Sequence, residues 1–251
     1  MKKITKVVVL PDIHAPKCHY PSLKVVLEFI KDYKPNMLIQ LGDLCDFDSL
    51  SKYETLKEKD LTSLNHEVES ANEVLDSIEK VLPWNCEKVL LEGNHDRRPE
   101  TYRLNRWDAQ AKRLFGMAQL PDFHVLYNLK KRGWSWVEEN KLFDVGRASF
   151  VHGFFTNQYH AAKTVRRWFK TIIYGHLHQY QVHTISGMDQ LPVSAMCIGT
   201  LSRFDLSYLR GIPPDWCHMF MYMEFFGDGF FTPHPVPIIN GKFCLERVYG
   251  G

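Results

Sequence analysis

Five short polar motifs, each directly after an apolar stretch, constrain this chain more than any other feature of its sequence. They contain several carboxylates, one carboxamide and five imidazoles, a set of groups that suits a pair of divalent ions of intermediate softness. One such motif occurs by chance in many chains, but five in this order, each after a β-type stretch, do not. We therefore predict a metal site built where several strands end. The motifs are Asp12-Ile13-His14, Gly42-Asp43-Leu44-Cys45-Asp46, Gly93-Asn94-His95-Asp96, His152-Gly153 and Gly175-His176-Leu177-His178.

The first half of the chain alternates between strand and helix patterns. Val7–Leu10, Met37–Leu41 and Lys88–Leu91 are short apolar stretches typical of buried strands. Ser22–Tyr33 has apolar residues at helical spacing, and Ser22 is a suitable N-cap for that helix. Such alternation predicts a largely parallel sheet, in which functional groups gather at the carboxyl ends of the strands.

The longest helical pattern covers Asp60–Leu82. Its apolar residues alternate between spacings of three and four, and Pro83 ends the run. A stripe of this kind fits either a dimer seam or a helix that lies on the sheet of its own domain. We favour the helix on the sheet.

The second half of the chain is mostly β in pattern. Ala148–Val151 leads to His152, and Thr171–Tyr174 leads to Gly175. The remaining β-type stretches are Val193–Ile198, His218–Phe226 and Gly229–Phe231. An Asp-Gly pair, typical of a hairpin turn, joins the last two. Two proline-rich segments, residues 212–214 and Pro233–Pro237, are predicted to be surface loops.

Length and composition indicate an ordinary globular protein. The 251 residues suffice for one large α/β domain over residues 1–251, with two smaller domains as the alternative. The formal net charge of +2 does not by itself require a nucleic-acid partner. No apolar stretch approaches the roughly 20 residues of a membrane helix, and the run Val7–Leu10 is interpreted as a core strand rather than a signal peptide. Six scattered cysteines without CxxC spacing favour free thiols in a reducing compartment, so we expect a cytoplasmic protein. The lack of a long apolar stretch predicts no membrane partner.

The five motifs resemble the signature of the calcineurin-like metallophosphoesterase superfamily, which reads D-x-H, G-D-x-x-D, G-N-H-[DE], H and G-H-x-H. They run from Asp12 to His178, about two thirds of the chain. The resemblance implies an α/β fold, a four-layer α/β/β/α sandwich with two facing mixed sheets flanked by helices. It also implies a phosphoester hydrolase with two divalent ions and a bridging hydroxide as nucleophile.

By match to these motifs, Asp43 is expected to bridge the two ions. The ions implied by the mixed nitrogen and oxygen ligands are Mn²⁺ first, with Fe or Zn²⁺ as alternatives. Asp12, His14 and His178 would complete the ligands of one ion; Asn94, His152 and His176 would complete those of the other.

The resemblance also implies a general acid at His95, which would give a proton to the leaving oxygen. Asp46 occupies the position of its orienting carboxylate. Asp96 is interpreted as an N-cap for a helix that starts near Pro99. The remaining histidines are interpreted as core or surface residues, with His160 the least certain of them.

Three departures point away from the protein phosphatase branch. Phe47 stands where those enzymes keep a phosphate-binding arginine, Asp96 replaces their glutamate, and the tandem G-H-x-H is present. The spacing resembles that of small metallophosphoesterases encoded by bacteriophages. Arg97 and Arg98 follow the third motif and are candidates to bind substrate phosphate.

Two further basic runs are either a phosphate-tracking surface with aromatic residues for base stacking, or solvated helix faces. The first run contains Arg103, Arg106, Lys112 and Arg113; the second contains Lys163, Arg166, Arg167 and Lys170, with Tyr159 and Trp168 nearby.

Three functions are therefore compared. The leading one is a phosphodiesterase that acts on nucleotides or nucleic acid, and the alternative is a phosphomonoesterase on small phosphorylated metabolites or phosphoproteins. The third is a scaffold without catalysis, which an intact set of ligands together with His95 argues against. The sequence predicts no oligomeric state.

Overall fold

The computed structural model of the protein describes residues 5–51, 63–104, 120–188, 190–206, 209 and 211–250. The helices in these ranges are α1 (Tyr20–Tyr33), α2 (Leu64–Val81), α3 (Arg98–Leu104), α4 (Phe123–Leu126), α5 (Leu129–Arg132) and α6 (His160–Trp168), with a 3₁₀ turn at Asp48–Leu50. The strands are β1 (Thr5–Leu10), β2 (Met37–Gln40), β3 (Glu87–Leu91), β4 (Ser135–Val137), β5 (Phe143–Val145), β6 (Ala148–Val151), β7 (Thr171–Tyr174), β8 (Tyr180–Gly187), β9 (Gln190–Ile198), β10 (Met219–Phe226), β11 (Phe230–Pro237), β12 (Phe243–Cys244) and β13 (Val248–Tyr249).

Two mixed sheets form the centre of the described structure. One has six strands in the order β11-β10-β1-β2-β3-β4, in which β1, β2, β3 and β4 are parallel to one another and β10 is antiparallel to β1. The other has five strands in the order β5-β6-β7-β9-β8, with β6, β7 and β9 parallel. The predicted parallel sheet is therefore present, with antiparallel strands added at its edges.

The alternation of side chains along β1 shows how the layers stack. Val7 and Val9 share an apolar cluster with Phe150 and Ile173 of the second sheet, so the two sheets face each other. Val8 and Leu10 point the other way, into a cluster with apolar residues of α1 and α2. On the outer face of the second sheet, α6 packs against β6, β7 and β9. The layers are helix, sheet, sheet and helix, as the resemblance implied.

The helix predicted over Asp60–Leu82 is observed as α2, from Leu64 to Val81, and its predicted first residues lie outside the described ranges. Its N-cap is Ser63, whose side chain accepts a hydrogen bond from the backbone N–H of His66 at 3.2 Å. Leu75 and Ile78 are fully buried against the first sheet. The apolar stripe of α2 is therefore part of the core of this chain, as favoured from the sequence.

Two local predictions were wrong. α1 begins at Tyr20, so Ser22 lies inside the helix, where its Oγ is 2.7 Å from His19 Nδ1. Pro233–Pro237 belongs to strand β11 rather than to a loop. Its three prolines lie two residues apart, so their nitrogens point to the same side of β11. Because β11 is an edge strand, that side needs no hydrogen-bond donors.

No helix of the described residues is long and apolar enough to cross a lipid bilayer.

Candidate metal centre

The five motifs come together where five parallel strands end. β1, β2 and β3 deliver Asp12, Asp43 and Asn94 from the first sheet, while β6 and β7 deliver His152 and His176 from the second. Parallel strands that lie side by side have their carboxyl ends at the same edge, so the polar residues that follow them meet there.

One cluster of potential metal ligands contains Asp12, His14 and His178. The Nε2 atoms of the two histidines lie 3.0 Å apart, and His178 Nε2 lies 3.0 Å from Asp12 Oδ2. All three side chains are buried. The backbone N–H of His176 also donates to Asp12, which fixes the orientation of this carboxylate.

A second cluster contains Asp43, His152 and His176. His152 Nε2 lies 3.3 Å from Asp43 Oδ2, 3.2 Å from His176 Nδ1 and 2.9 Å from Asn94 Oδ1. The other ring nitrogen of His152 contacts the carbonyl oxygen of Leu41 at 3.0 Å, so it carries the proton of the neutral ring. The Nε2 lone pair is thereby directed at the other members of the cluster.

Asp43 lies between the two clusters. Its Oδ2 atom is 3.3 Å from His152 Nε2 and 3.7 Å from His14 Nε2, which belong to different clusters. Its Oδ1 atom accepts a hydrogen bond of 2.8 Å from the backbone N–H of His95. Asp43 therefore occupies the position that a carboxylate shared by two ions would take.

The chemistry of these donor atoms fits cations. His14 Nδ1 faces the carboxylate of Asp46 at 2.8 Å, so His14 turns its Nε2 lone pair towards His178 and Asp43. Buried lone pairs and carboxylates that face one another are unfavourable unless a proton or a cation lies among them. Divalent ions satisfy this requirement with both nitrogen and oxygen ligands.

The charges of the site shift the pKa values of its members in opposite directions. Burial lowers the pKa of His152, but the charge of Asp43 and the hydrogen bond to it outweigh burial and raise that pKa to about 10. For Asp43, burial is outweighed by its histidine neighbours, first His152, which hold the pKa of its carboxyl well below the usual value. Burial and the charge of His152 lower the pKa of His176 to about 4. Asp43 and His152 thus form a strongly attracted pair.

The backbone at the candidate ligands adopts an uncommon conformation. His14, Asp43, His176 and His178 all have positive φ, between 52° and 70°, although none is glycine. Side chains other than glycine rarely adopt this region, and such residues concentrate at functional sites, where the surrounding structure holds them in place. The turns therefore hold a strained backbone at four of the six residues that make up the two clusters.

Two motif glycines are required because a carboxylate lies against their Cα atoms, not because of their backbone angles. A Cβ on Gly175 would overlap Asp12 Oδ1, and a Cβ on Gly93 would overlap Asp43 Oδ1. The glycines at these two positions follow from the space that the two carboxylates occupy.

His95 and Asp46 are brought together as predicted, with further partners. His95 Nδ1 lies 3.1 Å from Asp46 Oδ1 and 2.8 Å from the backbone oxygen of Asp46. The same carboxylate oxygen contacts His14 Nδ1, so Asp46 serves a candidate metal ligand and His95 at once. Burial lowers the pKa of His95, but the charge of Asp43 and the hydrogen bond to Asp46 outweigh it and leave the pKa above its ordinary value.

Lys17 is a residue that the sequence analysis missed. Its buried ammonium group lies 2.7 Å from Asp46 Oδ2 and also donates to Asp48. The other oxygen of Asp46 faces His14 and His95, so Lys17 balances the charge of Asp46 from behind. No spacing signal marks Lys17; only the return of the chain after the turn at His14 brings it to Asp46.

Asp96 does not act as the predicted N-cap. It is fully buried, and its Oδ2 accepts hydrogen bonds from the backbone N–H groups of Asp43 at 2.6 Å and Gly93 at 3.1 Å. Its Oδ1 accepts a hydrogen bond of 2.6 Å from the hydroxyl of Tyr127. Asp96 therefore joins two ligand-bearing turns, a role that becomes visible only once the strands are side by side.

The two candidate substrate-binding arginines point in different directions. The guanidinium group of Arg98 donates to the backbone oxygen of Asp46 at 2.7 Å and lies 3.2 Å from His95 Nε2. Arg97 is directed away, to Glu139 at 2.5 Å and Glu100 at 3.0 Å. Of the two, Arg98 is the one at the candidate centre.

His160, the least certain of the remaining histidines, lies outside both clusters. Its ring is buried at the start of α6, 2.6 Å from the hydroxyl of Tyr174 and 3.2 Å from Gln179 Oε1. These contacts join α6 to the second sheet.

In the first basic run, Arg103 forms an ion pair of 2.7 Å with Asp122, while Arg106, Lys112 and Arg113 lie outside the described residues.

Residues 5–180 match the sequence model of the calcineurin-like phosphoesterases. The chain belongs to this family. It is a metal-dependent phosphoesterase, as the candidate ligand clusters also indicate. The family named by resemblance from five motifs is thereby confirmed over more than half of the chain.

Two bacteriophage proteins are similar over nearly the whole length of this calcineurin-like phosphoesterase. Gene 54 protein of Mycobacterium phage L5 is 26% identical over 254 residues, which cover 96% of each chain. Gene 54 protein of Mycobacterium phage D29 is 26% identical over 260 residues, with the same coverage of both chains. The resemblance to proteins encoded by bacteriophages is confirmed.

The fold is also similar to that of a solved structure. Wild-type Vps29 of Entamoeba histolytica, crystallised in complex with Zn²⁺, aligns with a TM-score of 0.52 at 14% identity and covers 98% of this chain and 100% of its own. At this identity the likeness extends to the fold alone.

Proposed function

We propose that this phosphoesterase is a two-metal phosphodiesterase that acts on nucleotides or nucleic acid. The observation that carries the two-metal part is the position of Asp43 Oδ2, 3.7 Å from His14 Nε2 in one cluster and 3.3 Å from His152 Nε2 in the other. One carboxylate oxygen within reach of both clusters is what a pair of closely spaced ions requires.

In this proposal Asp43 would be shared by two ions. Asp12, His14 and His178 would hold one ion, while Asn94, His152 and His176 would hold the other. When bound, the ions neutralise the phosphoryl oxygens and activate water as the nucleophile. Mn²⁺ suits this mixture of imidazole and oxygen ligands best, with Fe or Zn²⁺ as alternatives; Zn²⁺ is the ion in the structural relative.

His95 supplies the proton for the leaving oxygen. Its Nδ1 is held by Asp46 and its Nε2 lies 3.9 Å from Asp43 Oδ2, so the ring presents Nε2 at the edge of the centre. Its raised pKa favours the protonated form that a general acid needs. Arg98, 3.2 Å from the same Nε2, is placed to contact a phosphoryl oxygen beside the leaving group.

The preference for diesters rests on Phe47. This residue is fully buried, with its ring stacked on Tyr127 at 6.0 Å between centroids, so the position that holds an arginine in protein phosphatases has no charge here. Arg98 supplies one guanidinium group at the centre, but no second one stands at Phe47, so a dianionic monoester loses more from the missing cation than a monoanionic diester does. The alternative function, a phosphomonoesterase, would use the same metal centre but prefer monoester substrates.

A substrate panel tests this proposal. The protein reconstituted with Mn²⁺ is assayed on bis- and mono-p-nitrophenyl phosphate, cyclic nucleotides, phosphoserine peptides, and single- and double-stranded DNA and RNA. We expect higher kcat/KM for diesters than for monoesters. A preference for phosphoserine peptides or mono-p-nitrophenyl phosphate over every diester would establish the monoesterase alternative, and no hydrolysis with any metal would favour a scaffold.

A further inference from the structure

A cleft beside α6 lies outside the metal centre. It has a volume of about 570 Å³. We call it the α6 cleft, and its principal lining residues are Phe155, Asn157, Tyr159, Lys163, Arg166 and Arg167.

The cations of the α6 cleft have no neutralising carboxylate among the described residues. Lys163, Arg166 and Arg167 are exposed, and no described carboxylate lies within 4.0 Å of any of them. Some other basic residues of the described structure are paired. Arg97 contacts Glu139, and Lys170 contacts Asp144 at 3.1 Å. The α6 cleft therefore concentrates positive charge that the rest of the described structure leaves uncompensated.

This arrangement costs stability in the free protein. Lys163 precedes Arg166 and Arg167 by three and four residues, so the three side chains are neighbours on one helix surface, and like charges at these spacings repel. The negative end of the helix dipole offsets part of this cost for Arg166 and Arg167, which lie in the last turn of α6, but not for Lys163 in its middle. An anionic ligand would remove the repulsion among all three.

Aromatic rings accompany the charges. The Lys163 ammonium group lies 4.2 Å from the ring centroid of Phe155, and the Tyr159 side chain is 68% exposed at the cleft. Exposed aromatic rings beside cations suit a chain that offers both phosphates and flat bases, because each base can stack on a ring while its phosphate meets a cation. An acidic peptide would use the cations but not the rings.

The α6 cleft adjoins the candidate metal centre in the sequence. Phe155 follows His152 by three residues, so the loop that carries a metal ligand runs directly into the cleft. At the start of α6, His160 contacts Gln179, the residue after His178. The start of α6 therefore lies beside the turn that carries His178.

We propose that the α6 cleft binds single-stranded nucleic acid and holds the strand next to the phosphodiester at the metal centre. Lys163, Arg166 and Arg167 contact consecutive phosphates, and Tyr159 stacks on a base. This inference deepens the proposed function, on which it rests, by naming the substrate class and the surface that recognises it.

Binding of a short fluorescein-labelled oligothymidylate tests the proposal. Fluorescence anisotropy is measured on the Mn²⁺-loaded protein with a phosphorothioate backbone that resists hydrolysis, from about 50 to 200 mM salt. The Arg166→Gln/Arg167→Gln variant is compared with Lys130→Gln/Lys131→Gln, which removes the same charge from exposed positions of another helix, α5. We expect about tenfold weaker binding for the α6 variant and less than about twofold for the α5 variant.

The salt dependence gives a second readout. Each lost phosphate contact should reduce the slope of log affinity against log salt by about 0.7 for a single strand. Tyr159→Ala should weaken binding about fivefold or more without changing that slope, because it removes stacking and not charge. The Arg166→Gln/Arg167→Gln variant is used only if its melting temperature equals that of the unmodified protein. Otherwise the Lys163→Gln variant, whose substitution lies outside the last turn of α6, replaces it.

Two results would overturn the proposal. One is equal weakening by the α5 and α6 variants, which would mean that only the overall charge matters. The other is displacement of the oligonucleotide by an acidic phosphoserine peptide at equal concentration together with no effect of Tyr159→Ala, which would assign the cleft to a peptide. Because binding is measured without hydrolysis, failure of the diester preference in the substrate panel would leave these results unaffected.

Discussion

The Nε2 atoms of His14 and His178 lie 3.0 Å apart, although 164 positions separate the two residues in the sequence. His14 uses its other nitrogen to contact Asp46, so its lone pair is aimed at His178. The two buried rings can stay in this position when a cation lies between their lone pairs and Asp12. The same Asp46 oxygen also contacts His95, which links the geometry of the candidate ligands to that of the candidate acid.

Replacement of Asp43 tests the shared carboxylate. Asp43→Ala should lose most of its bound metal and all measurable hydrolysis, because both clusters lose their common oxygen ligand. Elemental analysis after gel filtration measures the metal. Asp48→Asn is the control, since this buried carboxylate contacts Lys17 rather than the clusters and its loss should leave the metal content unchanged. Retention of two ions by Asp43→Ala would contradict the assignment.

Replacement of His95 separates acid catalysis from metal binding. His95→Ala should keep its metals and lose about 10²–10⁴-fold in kcat on alkyl or nucleoside esters, whose leaving groups need a proton. On nitrophenyl esters the loss should be much smaller, since that leaving group departs without one. His66→Ala, at an exposed position of α2, is the control. Equal losses on both substrate types would show that His95 acts through the metals or through binding.

The neighbouring arginines form a matched pair. Arg98→Gln should lower kcat/KM by roughly 10-fold or more, because its guanidinium group contacts Asp46 and His95 at the centre. Arg97→Gln should change kcat/KM by less than about threefold, since Arg97 is paired with Glu139 and Glu100. Steady-state kinetics on one diester suffices. The reverse order of effects would place the substrate on the side of Arg97.

Metal binding should release protons. The raised pKa of His152, about 10, means that its ring is protonated at neutral pH in the metal-free protein, whereas a metal ligand must be neutral. Metal affinity should therefore increase with pH, by about tenfold per unit for one released proton. Calorimetric titration in buffers of different ionisation enthalpy counts the protons. Binding without proton release between about pH 7 and pH 9 would show that the His152 ring is already neutral in the metal-free protein.

The hydroxyl of Tyr127 should contribute to stability. Tyr127→Phe leaves Asp96 Oδ1 without its buried donor, at a cost of about 1–3 kcal/mol in the free energy of unfolding. Urea denaturation of the metal-loaded protein measures this cost. Tyr180→Phe is the control, because Tyr180 is exposed and should change stability by less than about 0.5 kcal/mol. A loss of less than about 0.5 kcal/mol in Tyr127→Phe would mean that Asp96 holds the two turns together without the hydrogen bond from Tyr127.

Much of the fold was predictable from local patterns. Ala148–Val151 and Thr171–Tyr174 have the predicted bounds, and the stripe of α2 packs on the first sheet as favoured. These predictions succeed because hydrophobic periodicity reports which face of an element is buried. The proline-rich strand β11 was missed because its edge position, which makes the prolines tolerable, is a property of the sheet and not of the segment.

The sequence by itself determined which side chains stand at the ends of strands, and hence the two clusters around Asp43. Only the tertiary structure decided that Lys17 balances Asp46, that Asp96 joins the turns of Asp43 and Gly93, and that Arg98 and Arg97 diverge. A motif is a local pattern, so it can be read along the chain. Contacts among separate turns depend on strand order, register and the direction of each side chain, which are settled only when the whole core packs.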